Sequence, residues 1–327
     1  MLTERVLHVA NGTCTTRLIE AAGLPGDRSL WADVLYEGPV PGGMSDESLV
    51  EIRSRFLADA IGGPSLDPAN DMWQWRSAIQ AHECYNELVL WYEHDLFDQL
   101  NLIQLLSWIR ERAPAGRVLN LVSVGSFPGR PAFKGLGELT PTELGSLFGM
   151  RKPVTDEQYA LAQRAWQAFR EPTPIPIDDV RRADTSVLPF LAAALTRFLQ
   201  EYPWTTDGLS RTERRLLQLA SEGGVRLVDA FPRMHDGEDT YYLTDRSLAA
   251  MAAALARTSP PLITLTDGEP RAPLAGRVAL TVTGAAILAG AKVRGPIDRW
   301  LGGVHLEPGG PVWRWDPAHE RIVPTGA

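Results

Sequence analysis

The densest group of side chains able to do chemistry is Glu93-His94-Asp95, with Asp98 and Gln99 close behind. Three carboxylates and one imidazole within seven positions can supply a general base, a nucleophile or metal ligands. The group directly follows the apolar stretch ELVLWY, so it sits at the end of a strand, where it is harder to solvate than a charge run on a helix face. The bland alternative is that Asp95 caps the next helix and Glu93 makes surface contacts. A second set, Asn11-Gly12-Thr13, follows RVLHVA and precedes a helix. Free N–H groups at a helix start attract anions, and Gly12 lets a ligand approach the backbone. The alternative is an ordinary turn with a threonine cap. The further glycines and lysine of the known phosphate loops are missing.

Asp33 and Glu37 flank the end of LWADVLY, with Gly38-Pro39 as a turn. Asp33 alternates with apolar neighbours, and a buried acid needs a partner. His8 lies on the first strand and either faces the same cleft or serves as a core histidine. His82-Glu83-Cys84 lacks metal-ligand spacing, and neither HExxH, CxxC nor GxSxG occurs. Trp73 with Trp75, and Trp313 with Trp315, alternate; each pair could form a stacking wall or pack against a sheet.

These residues need elements to hold them. Strands are expected at 5–10, 30–36, 87–92 and 117–124, with helices after the first at 13–22, then at 47–60 and 98–112. Strands alternating with helices imply parallel pairing. Residues 1–135 are therefore expected to form a Rossmann-like, three-layer α/β domain. Ligands in such sheets bind beyond the carboxyl ends of the strands, which selects the loops 11–16, 37–41, 93–99 and 125–129. Residues 136–204 read as a helical bridge, with Thr140 and Glu143 in capping-box relation and a proline-rich extended connector, EPTPIPIDD. Residues 205–327 begin with a second capping box, Ser210 with Glu213, and continue as helices and short strands that suggest a winged-helix-like α+β module.

Composition narrows the classes. The chain has 327 residues, 44% of them hydrophobic, enough for a sizeable core. Residues 1–204 hold 18 basic and 26 acidic side chains and carry the whole net charge of −8; residues 205–327 hold 14 of each. This balance argues against a nucleic-acid partner. Two cysteines, Cys14 and Cys84, make no disulfide framework, and no apolar run is long enough to span a membrane. Without a basic leader followed by an apolar stretch, a soluble cytoplasmic protein is expected.

The segments LHVANGT, LWADVLYEGPVP, LVLWYEHDLFDQLNLIQLL, RKPVTDEQ, GLSRTERRLL and DRWLGGVHL resemble a bacterial family catalogued as domain of unknown function 1835. They are spread along nearly the whole chain. The resemblance implies no established activity. It implies that Asn11, Gly12, Asp33, Glu37, Gly38, Glu93, His94, Asp95 and Gln99 are matching positions without assigned roles. The expectation is an anionic small molecule, nucleotide-like or a sugar phosphate, held by His8, Asn11, Gly12 and Thr13, with Asp33, Glu37, Gly38 and Gln99 around it. Glu93, His94 and Asp95 would do acid/base work in a hydrolase or transferase, and a divalent cation would offset the acidic cleft. The alternative is a regulatory or scaffolding protein that uses its C-terminal module to associate with protein or DNA. A homo-oligomer stays open.

Overall fold

The structure is a computed structural model that describes residues 5–61, 67–112, 118–267 and 272–325, with only the backbone of residues 60, 61, 82 and 83. The first four residues, position 117 and the side chains of His82 and Glu83 lie outside the described residues. The chain opens with β1 (Val6–Ala10), α1 (Thr13–Ala21) and β2 (Asp27–Leu30). A two-residue bridge, β3 (Gly38–Pro39), precedes α2 (Asp46–Ile61) and α3 (Pro68–Gln80). Then come β4 (Glu87–Glu93), α4 (Leu96–Arg112), β5 (Val118–Val124), α5 (Pro141–Phe148) and β6 (Lys152–Pro153). Strands β2, β1, β4 and β5 lie parallel in that order, and β6 adds a short antiparallel edge. Alternate side chains serve opposite faces: Val6, Ala10, Val89, Trp91 and Val122 pack with Ile19 of α1 and Leu144 of α5. Leu7, Val9, Leu88, Leu90 and Leu121 pack with Leu100 and Ile103 of α4. Helices on both faces explain why the strands read as continuous apolar runs.

The strand expected at 30–36 is not one. β2 ends at Leu30, and the chain then wraps around the Arg53 guanidinium, which donates to the carbonyls of Val34 and Glu37 at 2.9 and 2.6 Å. Asn101 receives the Asp33 N–H and donates to the Asp33 carbonyl, at 2.9 and 2.8 Å. Side chains thus satisfy the backbone groups that a sheet ladder would otherwise take.

The bridge is helical: α6 (Asp156–Phe169), α7 (Ile175–Arg182) and α8 (Leu191–Leu199). EPTPIPIDD is not an extended connector, because Pro174 caps α7 and Pro176 falls in its first turn, where a missing N–H costs nothing. Helices α6 and α8 pack on α4. α4 is therefore buried along almost its whole length instead of on the one side that its leucines mark, and its polar residues find partners inside, as when Gln104 accepts from the Trp31 indole at 2.7 Å.

The remainder holds α9 (Arg211–Ser221), β7 (Val225–Arg226), α10 (Leu227–Met234), α11 (Asp245–Arg257), β8 (Ile263–Thr266), β9 (Arg277–Leu280) and α12 (Val282–Leu288). The three strands form an antiparallel sheet in the order β7-β9-β8. The chain ends in β10 (Arg299–Gly302), β11 (Val304–Leu306), β12 (Val312–Asp316) and β13 (Arg321–Thr325). The expected capping boxes at Thr140–Glu143 and Ser210–Glu213 both form. β10 pairs with β3, so the C-terminal part returns to the loop after β2. One apolar cluster runs from Leu7 to Ile322. Among the described residues no helix is long and apolar enough to cross a membrane.

The C-terminal part is joined through charge as well. Arg197 of α8 donates to Glu201 at 2.7 Å, to the Thr212 hydroxyl at 2.9 Å and to Glu238 at 2.8 Å. Arg299 reaches the other Glu201 oxygen at 3.3 Å. Burial alone would raise the Glu201 carboxyl, but the Arg197 and Arg299 guanidiniums overcome it and hold the group down to about 2.

Candidate functional site

The connection from β1 leads outward to β2, and the one from β4 leads the other way to β5. Between β1 and β4 the crossovers diverge, and their carboxyl ends border the crevice where ligands of open α/β sheets bind. Register pairs Ala10 with Trp91, so Asn11 and Glu93 emerge at the same edge.

The two loops are tied by Asp98, which is fully buried at the start of α4. Its carboxylate accepts the Asn11 amide at 3.0 and 2.9 Å and also the Glu93 backbone N–H. Asn11 in turn accepts the Thr15 hydroxyl at 2.7 Å. Asp95 receives the Asp98 N–H at 2.8 Å, the capping contact that its place before α4 suggested. Gln99 donates to the Glu93 carbonyl at 2.7 Å, and the Glu93 carboxyl receives the N–H of Leu136. Gly135 makes that last contact possible, since a Cβ there would lie 2.4 Å from a Glu93 oxygen.

The electrostatics follow first from burial. Burial and then the Asp95 charge push the Glu93 carboxyl up to about 8. Burial raises Asp95 to about 6. Asp98 is pushed well above the usual carboxylate range by burial and then by the charges of Glu93 and Asp95. All three carboxyls are thus harder to ionise than a free acid, Asp95 the least of them.

In front of this edge Gly12 has extended backbone, and a Cβ on it would touch nothing within 4 Å. No side chain caps α1, so the N–H groups of Thr13 and its neighbours are left for solvent or a ligand. The segment after α10 crosses the same edge: the Thr240 carbonyl accepts the Leu96 N–H at 2.7 Å, and the Glu238 carbonyl accepts Lys134 Nζ at 3.0 Å.

His94 is half-buried, with its ring 6.2 Å from Phe133 and 6.1 Å from Phe190. Its Nδ1 is buried and has no partner. Such an atom asks for a hydrogen-bonding group that the protein does not supply.

Other expected residues go elsewhere. His8 is a core residue in mid-strand, not a rim residue. Its Nδ1 accepts the Trp91 indole at 3.0 Å, which leaves Nε2 to donate to the Pro25 carbonyl at 3.1 Å. Burial lowers its pKa, in keeping with a neutral ring. Asp33 forms a buried two-pronged pair with Arg53, at 2.9 and 2.7 Å. Glu37 lies at the junction with α11, raised by burial and partly restored by a hydrogen bond with Ser247. Gly38 is there for packing: its φ is +72°, and a Cβ would meet the Phe56 ring at 2.6 Å. Among the described residues no group of three His, Cys, Asp or Glu side chains is arranged to hold a metal ion. The tryptophan pairs divide: Trp73 and Trp75 lie on a helix, α3, with Trp73 exposed, whereas Trp315 is buried on β12.

Asp98 belonged to the cluster seen in the sequence but was given no role of its own, and Gly135 was not selected. Gly135 carried no signal, because its role is a contact across 42 positions of chain, from Glu93 to the turn before Leu136. No protein-family model matches the chain, and no curated protein matches it.

Proposed function

We propose that the chain binds an anionic small molecule, nucleotide-like or a sugar phosphate, in the crevice between the carboxyl ends of β1 and β4, and acts on it as a hydrolase or transferase. The supporting observation is the meeting of the Asn11-Gly12-Thr13 turn with Glu93 and Asp95 across that crevice, braced by Asp98. The open space before Gly12 admits an anion to the start of α1. Glu93, neutral near pH 7, adds no charge to repel it and is poised as general acid; Asp95, ionised above about 6, serves as base. The arrangement is that of a Rossmann-like domain, and the two loops fall in the LHVANGT and LVLWYEHDLFDQLNLIQLL segments that resemble the family of unknown function. The test is a thermal-shift panel of nucleotides and sugar phosphates, with and without magnesium. A binding compound raises Tm by mass action, Asn11→Ala abolishes the rise, and Glu93→Gln keeps the rise but loses turnover. A panel in which nothing raises Tm removes the proposal.

One observation favours the regulatory alternative. The succession α9-β7-α10-α11-β8-β9, with sheet order β7-β9-β8, is what a winged-helix-like module would have. In that reading α11 is the helix that meets a partner. Its N-terminal end is engaged within the chain, through Glu37 with Ser247 and through the Tyr36 hydroxyl donating to the Tyr242 carbonyl at 3.0 Å. This supports docking of the module on the α/β part over DNA reading. Duplex binding whose affinity falls linearly with log salt would reverse that preference.

A further inference from the structure

A cavity of about 150 Å³ lies between α9 and the turn after α10. Arg197, Arg211, Arg214 and Arg215 line it, against the carboxylates of Asp236 and Glu238. Four guanidiniums around one small space are unusual in a chain whose net charge is −8. Two of them are well compensated: Arg197 is bound by Glu201 and Glu238, and Arg214 is paired with Asp207 while its guanidinium lies 4.5 Å from the centre of the Trp204 ring. Arg211 shares Glu238 with Arg197, at 3.2 Å, and donates to the Gln200 side-chain oxygen at 2.7 Å. Arg215 donates from Nε and Nη2 only to the Arg233 carbonyl, at 3.3 and 2.9 Å, and has no carboxylate partner among the described residues. The Arg214 Nε is buried on the side of its Asp207 partner, away from the cavity, which leaves Arg211 and Arg215 to face it. A planar guanidinium fork matches the oxygens of a tetrahedral oxyanion. The volume falls below the roughly 300 Å³ at which sites for drug-sized ligands begin, so it suits a phosphate group and not a nucleoside.

We propose that this cavity binds a phosphate-type oxyanion, with Arg211 and Arg215 as its donors. The ion comes either free or as the terminal group of a phosphate monoester. The experiment titrates the full chain with sodium phosphate, and separately with glycerol phosphate, against sodium chloride of equal ionic strength. Tm is read in parallel with the ¹⁵N side-chain signals of arginine. Phosphate is expected to raise Tm where chloride does not, and to shift the Arg215 Nε–H signal. Arg215→Gln is expected to weaken binding roughly tenfold. A response to phosphate alone assigns the site to the free ion; a response to both assigns it to a terminal phosphate. Equal effects of phosphate and chloride, an unmoved Arg215 signal, or unchanged affinity in Arg215→Gln would each overturn the assignment. If Arg215→Gln fails to fold, the Arg215 signal of the unaltered protein decides.

Discussion

Glu201 and Glu93 are both nearly inaccessible, 2% and 8% exposed, yet the first is held down to about 2 and the second is pushed up to about 8. Burial acts on both in the same direction. The difference is the neighbours: two guanidiniums face Glu201, while Glu93 faces Asp95 and Glu138. An acid packed with its counter-charge joins parts of the fold, as Glu201 joins α8, α9 and β10. An acid packed against other acids stores unfavourable energy, and such groups cluster where a protein does chemistry. Asp33 with Arg53 belongs to the first kind, and that pairing separates it from the rim at which its sequence position had placed it.

The strongest way to break this contrast is Arg197→Ala. It leaves Glu201 and Glu238 without their shared partner, and should cost about 3–5 kcal/mol in urea unfolding. A cost near zero would show that Glu201 is no junction.

Next is the pH dependence of the rim. Glu93 has a folded pKa above its ordinary value of 4.5, so the folded chain binds the extra proton. The stability from that group is complete below about 4.5 and is lost as pH rises through about 8. Glu93→Gln, which stays neutral, should therefore grow more stable than the native chain from pH 5 to pH 8, by about 3–4 kcal/mol in total. Parallel Tm profiles for the two proteins would show that Glu93 does not carry the proton. Glu201 has the opposite sign: its contribution is present above the ordinary value of 4.5 and fades only as pH falls towards about 2.

Gly135→Ala sharpens the geometry. The new methyl collides with the Glu93 carboxyl and should destabilise by about 1–3 kcal/mol. Most of this loss should vanish when Glu93→Ala is already present, which a double-mutant cycle measures. The smallest effect is expected at a site remote from both regions. Thr155→Ala removes the cap of α6 and should cost about 1 kcal/mol in the same unfolding assay, with no change in pH dependence.

Much of this architecture could be read along the chain because it depends on near neighbours. The apolar runs RVLHVA and ELVLWY became β1 and β4, and Ser210 with Glu213 closed its capping box, since backbone propensity and a three-residue spacing act locally. LWADVLY misled because its alternation suits a strand, while the partner that claims its backbone, Arg53, lies on α2. The rim divided in the same way. That Glu93, Asp95 and Asn11 stand at strand ends followed from order and pattern alone. That Asp98 binds the two loops together, that His8 is spoken for by Trp91 and Pro25, and that Gly135 must lack a side chain depended on contacts between distant segments.

Sequence by itself determined which residues sit at strand ends and which helices begin where, since these rest on periodicity and short-range hydrogen bonds. Only the tertiary structure decided which of the acids would meet a guanidinium and which would meet another acid. The charge state of a buried carboxylate is set by what packs against it, and packing brings together residues that the chain keeps far apart.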